Sequence, residues 1–499
     1  MCLIRKTRTA PEAFIYMAKG PTKPAKGTIK PRKPSRRPPP PTVEAQIERL
    51  NDDGVGVAHH QGKELLVAGA LRGEKVAVTL EHEGQRRAIG RLRRVLAPSP
   101  ERIASPCKQA ASCQGCSLVN MKLRAQLYFK QDRVRHALDR YDSLKKVPAH
   151  PVWEAPNPFG YRTNAKLVMD KERGRVKIGL YRRGTHDVVD IGDCPLHHPL
   201  INRIVAVVKE EMERQDIYVY NPLTRRGLMR YLLVKVSPSL NKAMVTFVTA
   251  ERNFREVTHL AKWLKKKVPE VVSVQQNVNA SEGNVILGRD TSLVLGAPDL
   301  IDQVGEIRLR ISPTSFFQVN NEQAARIYAL ARQWAALSSG EWAVDLYCGI
   351  GGIALHLARD GGRVIGIEAV EEAVHNAREN ARLNNSKGCT FVAGDAAELV
   401  HDLAMEVPPG SVAVVNPPRS GCDREVLESL TELRPRTLLY VSCNPETLAR
   451  DLDILAALGY RTEEVQPVDM FPQTPHVESV ARLVPAPREK TKGRSGKKV

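Results

Sequence analysis

The sequence predicts a multidomain α/β protein: a C-terminal doubly wound, Rossmann-like parallel sheet, an α+β central domain and an N-terminal small β-barrel of OB-like type. Three observations predict it. From Glu341 onward, strand-like and helix-like runs alternate strictly, the pattern of a parallel sheet with crossover helices. Between 150 and 310, strand-like runs are mixed with only two helical ones. Between 43 and 80, apolar and polar residues alternate in short stretches broken by Asp53-Gly54, Gln61-Gly62 and Arg72-Gly73, the pattern of a small antiparallel barrel. A length of 499 residues calls for roughly two to four domains.

Before the barrel, residues 1–41 hold eleven Lys or Arg, nine Pro and one acid, Glu12. Such a stretch cannot bury enough apolar surface to fold, so a disordered basic arm is expected. It is as poor in acids as a transit peptide but lacks the apolar core of a secretory signal, and a plain basic arm is the reading adopted. A second basic tail is expected over 486–499. The formal net charge is +20. The tails carry only part of it, since GQRRAIGRLRR at 84–94 lies in the barrel region. A balance this basic points to a polyanion, and nucleic acid is the commonest. No run of about 18 apolar residues occurs, so no membrane span is expected.

The barrel is assigned to 42–100 and the central domain to 101–312. A helix is expected over 118–140, strands at AKLVMD, VKIGLY, RYLLVKVS, KAMVTFV and VVSVQQNV, and helices at 200–214 and 252–267. Nine cysteines, an odd number without a secretion signal, argue against a disulfide framework and for a reducing, cytoplasmic setting. Cys107, Cys113 and Cys116 are spaced C-x5-C-x2-C, and Cys194 follows in IGDCPLHHP. Four thiolates of this kind suit Zn²⁺ or an iron–sulfur centre equally well.

The C-terminal domain is assigned to 313–485, with strands at WAVDLY, RVIGIE, TFVAGD, VAVVNPP and TLLYVSC. The first runs into a glycine-rich turn, Asp345 to Gly352, where backbone can approach a nucleotide-like cofactor. Asp345, Glu368 and Asp395 end three successive strands, the edge at which open α/β sheets bind ligands. Glu368 can hold ribose hydroxyls and Asp395 can meet an adenine edge. The fourth strand ends Asn416-Pro417-Pro418, a stiff turn that marks methyltransferases. Arg419 follows where an exocyclic-amine methyltransferase would carry an aromatic residue, which argues against that chemistry. The fifth strand delivers Cys443 in Ser-Cys-Asn-Pro. A thiolate adding to C6 of uracil makes C5 nucleophilic enough to accept a methyl group. Cys422 is the rival nucleophile, because RNA cytosine-C5 enzymes use a cysteine just after a Pro-Pro turn. It lies four residues beyond Pro418, too far for that pattern.

With SFFQVN (315–320), DLYCGIGGIAL (345–355), NPPRSG (416–421), VSCNPETLARDL (441–452) and PHVESV (475–480), the chain resembles the RNA uracil-C5 methyltransferases over about 43–484. The likeness is to the ribosomal branch, with an N-terminal TRAM barrel and an iron–sulfur centre. It implies methylation of a uridine in 23S rRNA by a monomer, with S-adenosylmethionine and a [4Fe–4S] cluster. It further implies that Gln318, Tyr347, Glu368 and Asp395 contact S-adenosylmethionine and that Cys107, Cys113, Cys116 and Cys194 hold the cluster. Cys443 is the implied nucleophile, and Glu478 the base that removes the C5 proton. Gly352 stands where the ribosomal members carry Asn, and Asn416 where they usually carry Asp; both stay in the cofactor set. A tRNA uracil-C5 enzyme, an RNA cytosine-C5 enzyme and a catalytically idle RNA-binding factor are the alternatives. Intact Cys443, Glu478 and cofactor acids speak against the last.

Overall fold

The computed structural model describes residues 41–487 apart from 114, 183, 184, 284 and 404. The expected basic arm and tail thus lie, but for Pro41, Ala486 and Pro487, outside the described residues. From Thr42 the chain is one unit.

Six strands lie side by side in the order Thr42–Gln46, Lys75–Glu83, Arg87–Ala97, Lys63–Ala68, Gly56–His60 and Arg49–Leu50. Lys63–Ala68 runs parallel to Arg87–Ala97, and the other pairs are antiparallel. Their alternating inward residues, among them Leu65, Val67, Val76 and Val78, close over one apolar core. The three expected turns hold Gly54, Gly62 and Gly73 at φ 69°, 77° and 82°, which a residue without Cβ adopts freely.

The central region is a seven-stranded sheet in the order Asp290–Gly296, Val271–Val278, Lys242–Thr249, Met229–Ser237, Asn164–Glu172, Arg175–Tyr181, Val188–Asp190. Helices Pro199–Arg214 and Phe254–Lys267 share its core. Ile201, Ile204, Val205, Val208 and Met212 recur at helical spacing and pack with Leu232, Val234 and Val245. Asn253 caps the second helix by accepting from the amides of Arg255 and Glu256.

The C-terminal sheet has seven strands: β1 (Trp342–Leu346), β2 (Arg363–Glu368), β3 (Cys389–Ala393), β4 (Val412–Val415), β5 (Thr437–Ser442), β6 (Tyr460–Val468) and β7 (Glu478–Pro485). They lie in the order β3-β2-β1-β4-β5-β7-β6. The first five are parallel, as expected, while β7 is antiparallel to both β5 and β6. Period-2 alternation sends Ala343, Val412, Val414, Leu439 and Val441 to one face. There they meet helices Asn321–Ala335, Gly352–Leu357 and Glu371–Leu383. Val344, Leu346, Ala413, Val415, Leu438 and Tyr440 go to the other face, against Ala396–Leu403, Arg424–Glu432 and Pro445–Ala457. The strand order reverses between β1 and β4, the point at which such sheets open a crevice.

Two segments assigned to the central domain pack into this layer. Val134, Ala137 and Leu138 of helix Leu123–Asp139 join the second-face core. The hairpin Leu300–Val304 and Ile307–Ile311 joins the first. The expected boundary at 312 therefore falls just beyond a hairpin that shares the core of the C-terminal sheet. Among the described residues, no helix is long and apolar enough to cross a membrane.

Candidate active site

At the switch point, β1 leaves Leu346 and turns sharply through Tyr347 (φ 61°), Gly349 (φ 55°) and Gly351 (φ 87°) into helix Gly352–Leu357. Holding a tyrosine in the left-handed region costs on the order of 1–3 kcal/mol and is found where function demands the shape. The turn is braced by Glu368 at the end of β2. Its carboxylate accepts from the Gly349 amide at 3.1 Å and from the Val370 amide at 3.0 Å. A crevice beside the turn is lined by Phe316, Gln318, Tyr328, Asp345, Tyr347, Gly352 and Asn416, among others. Four of the expected cofactor residues, Gln318, Tyr347, Gly352 and Asn416, thus meet in one place, and Glu368 reaches it through Gly349. Asp395 is exposed beyond β3, where it accepts from the Ala397 amide at 2.8 Å; it does not line the crevice.

Asp345 sits at the floor of the crevice, wholly buried. One oxygen accepts from the Ala354 amide at 3.0 Å, and the other has no partner. Burial pushes its carboxyl up to about 7. The Gln318 loop is pinned from outside: Lys235 Nζ donates to the carbonyls of Ser312 and Ser315 at 2.8 and 2.6 Å, and the Thr163 amide donates to Val319 O at 2.9 Å. A more voluminous cavity on the opposite edge of the sheet, lined by Trp342, Arg363 and Lys387, collects none of the expected residues.

Cys443 lies one residue past the end of β5, and Glu478 opens β7. Ser442 pairs with Ser479, so the antiparallel register carried one step further brings Cys443 to Glu478. Glu478 is 4% exposed, and burial pushes its carboxyl up to about 8, with the Arg419 guanidinium acting against the rise. The Cys443 thiol is also raised, by burial first and by Glu478 second. Arg419 opposes this through its charge and a hydrogen bond to the sulfur. The arrangement is a thiol and a carboxylic acid side by side under one cation. Arg419 was legible only as a residue unsuited to amine methylation; its place above the thiol comes from the Pro-Pro turn. Asn444 and Thr447 hold that turn by donating to Arg419 O at 3.1 and 3.3 Å.

Cys422 does not compete. It is buried in the second-face core, contacts Tyr440 and Tyr347, and burial pushes its thiol up to about 12. The segment between β6 and β7, which ends at Glu478, is gripped by helix Leu123–Asp139. Lys130 pairs with Asp469 and donates to Phe471 O at 3.0 Å. Gln126 exchanges hydrogen bonds with Gln473, and Arg133 donates to Pro475 O at 2.8 Å.

The thiols of Cys113, Cys116 and Cys194 are raised, by burial first and also by neighbouring sulfurs of the set, Cys107 among them. Cys116 is pushed up to about 12, by burial first and then by the other three sulfurs. Among the described residues, no group of three or more His, Cys, Asp or Glu side chains stands arranged to hold a metal ion.

The family profile described as tRNA (uracil-5-)-methyltransferase matches residues 122–484. An uncharacterized RNA methyltransferase of Geobacter sulfurreducens is 50% identical over 443 residues, covering 89% of this chain and 90% of that protein. One from Caldanaerobacter subterraneus is 38% identical over 439 residues, covering 88% and 97%. Among solved structures, the Pyrococcus abyssi tRNA (uracil-54, C5)-methyltransferase in complex with S-adenosyl-L-homocysteine superposes with a TM-score of 0.71 at 29% identity, covering 88% of this chain and 99% of that one.

Proposed function

This chain belongs to the tRNA (uracil-5-)-methyltransferase family and is an S-adenosylmethionine-dependent RNA methyltransferase, and from that premise we propose that it methylates C5 of a uridine in 23S rRNA through a covalent Cys443–C6 adduct. The observation that carries the mechanism is the convergence of Cys443, Glu478 and Arg419 at the end of β5. The Cys443 thiolate forms a bond to C6, and the C5=C6 π electrons move toward O4, leaving an enolate whose C5 is nucleophilic. Bound S-adenosylmethionine supplies an electrophilic methyl group. Glu478, once deprotonated, takes the remaining C5 proton; the C5=C6 bond re-forms and the thiolate leaves. Arg419 supports the anionic sulfur at both ends of this cycle.

The crevice fits the cofactor on its own evidence. The glycine turn opens backbone toward it, Glu368 stands where ribose hydroxyls can be held, and Asp345 keeps one buried oxygen unpartnered. Gln318, Tyr347, Gly352 and Asn416 line it, while Asp395, exposed beyond β3 and outside the crevice lining, would meet the adenine edge from there. Cys107, Cys113, Cys116 and Cys194 would hold a [4Fe–4S] cluster. Their C-x5-C-x2-C spacing with Cys194 supports this, as do amide groups directed at two of them: Gly115 at Cys113, and Leu196 and His197 at Cys194. The cluster would join the Cys107–Cys116 segment to the central sheet.

A tRNA target is the second reading, favoured by the Pyrococcus abyssi enzyme, which acts on tRNA. Mapping 5-methyluridine in host 23S rRNA and tRNA with and without the gene separates the two. Loss of a 23S position is expected; loss confined to tRNA would overturn the ribosomal target, and loss of 5-methylcytidine instead would overturn uridine.

A further inference from the structure

Residue 352 has no side chain, and the space in front of it is filled from another element. A Cβ on Gly352 would stand 2.9 Å from the Tyr328 hydroxyl oxygen, and 3.1 and 3.2 Å from Cζ and Cε2 of its ring. Real side chains do not approach so closely. Position 352 and the Tyr328 hydroxyl therefore compete for one volume, and in this chain the tyrosine has it. Tyr328 comes from the middle of helix Asn321–Ala335 and is 8% exposed. Its ring rests against His356, centroids 5.1 Å apart, which fixes the hydroxyl at the wall of the crevice alongside Gln318 and Asp345.

The hydroxyl has a donor to spare. Gln318 lies beside it, and burial, with Asp345 and Glu478 nearby, keeps the phenol protonated. The unpartnered Asp345 oxygen shows that the proton is not given to that carboxyl. The amino-acid end of S-adenosylmethionine carries a cation and an anion. A buried carboxyl with a vacant oxygen suits the ammonium, and a protonated phenol suits the carboxylate.

We infer that Tyr328 is a cofactor-binding residue, its hydroxyl taking the place of a residue-352 side chain and donating to the α-carboxylate of S-adenosylmethionine. The inference rests on the reading of this crevice as the cofactor site.

The test is calorimetric titration of the full chain with S-adenosyl-L-homocysteine and with 5′-methylthioadenosine, which lacks the amino-acid end. Tyr328→Phe should weaken S-adenosyl-L-homocysteine about tenfold, the loss expected for one hydrogen bond to a charged group, and leave 5′-methylthioadenosine unchanged. Gly352→Asn alone should lose S-adenosyl-L-homocysteine through the clash, and Tyr328→Val with Gly352→Asn should regain it. Wild-type binding by Tyr328→Phe, equal losses for both ligands, or tight binding by Gly352→Asn alone would each overturn the inference. Glu368→Gln separates the two layers, because both ligands carry the ribose. If Glu368→Gln weakens both ligands while Tyr328→Phe weakens neither, the crevice holds the cofactor and only the tyrosine assignment falls. If Glu368→Gln leaves both unchanged, the cofactor site lies elsewhere and both readings fall.

Discussion

Cys443 and Glu478 are neighbours because two antiparallel strands end together: Ser442 of β5 pairs with Ser479 of β7, and the next step of the ladder reaches the thiol and the acid. They sit 35 residues apart in the chain. The antiparallel return of β7 beside β5 closes that separation and lets Glu478 raise the cost of ionising the Cys443 thiol.

That proximity predicts a trapped intermediate. Glu478→Gln should still form the C6 bond and accept the methyl group, then stall, because an amide is a far weaker base. A protein–RNA adduct carrying labelled methyl should survive denaturing electrophoresis. It should be absent from Cys443→Ala and from the double variant. Methylation by Cys443→Ala, or an adduct mapping to Cys422, would overturn the mechanism.

Glu478 also makes resolution of the adduct depend on pH. Its carboxyl, pushed up to about 8, is protonated at neutral pH in the free protein and must lose that proton before acting as a base. Single-turnover release of methylated RNA should therefore quicken as pH rises toward 8. The same shift has a stability consequence. The folded acid binds its proton more tightly than the unfolded one, so this contribution is full below the ordinary carboxylate range and is lost as pH rises through about 8. Glu478→Gln, which cannot ionise, should gain melting temperature over wild type progressively from pH 5 to pH 8, and a pH-independent difference would contradict the assignment.

Arg419 should set how readily Cys443 ionises. Arg419→Ala removes the cation that opposes burial and Glu478, so the pH profile of Cys443 alkylation should move up. A shift of about one unit would slow alkylation roughly tenfold at neutral pH. Arg419→Lys should recover part of it. An unmoved profile would leave Arg419 with no hold on the thiol.

Lys130 and Asp469 form an ion pair in which neither side chain is exposed. Lys130→Met would leave a buried, unpartnered carboxyl and should cost about 3–5 kcal/mol in denaturant unfolding. Lys130→Met with Asp469→Leu should recover much of that. Because Asp469 begins the segment that carries Glu478, the single variant should also slow adduct resolution more than adduct formation.

Anaerobically purified protein should be brown, with broad absorbance near about 400 nm from thiolate-bound iron. Serine at Cys107, Cys113, Cys116 or Cys194 should remove the colour. A colourless, active preparation with stoichiometric zinc would overturn the cluster.

What could be read from the chain follows from local rules. Period-2 and helical spacing exposed the five parallel strands and most of their helices, and Gly349 and Gly351 fall where a left-handed turn needs them. Cys443, Glu368 and Asn416 were legible because each ends a buried strand, so their distance from the crevice is fixed by the sheet itself. Helix Leu123–Asp139 was visible as a helix, but its place against helix Pro445–Ala457 and β6 was not, since its apolar face fits any buried surface. Arg419 above the thiol, Lys235 beneath the Gln318 loop, and Tyr328 in the volume left by Gly352 were likewise silent in the sequence. Each depends on contacts between residues 24 or more positions apart. The sequence alone determined which chemistry this chain carries, because turn and strand-end residues are dictated within a few positions. Only the tertiary structure decided which side chains tune it, because burial and charge at one point are sums over elements that folding brings together from across the chain.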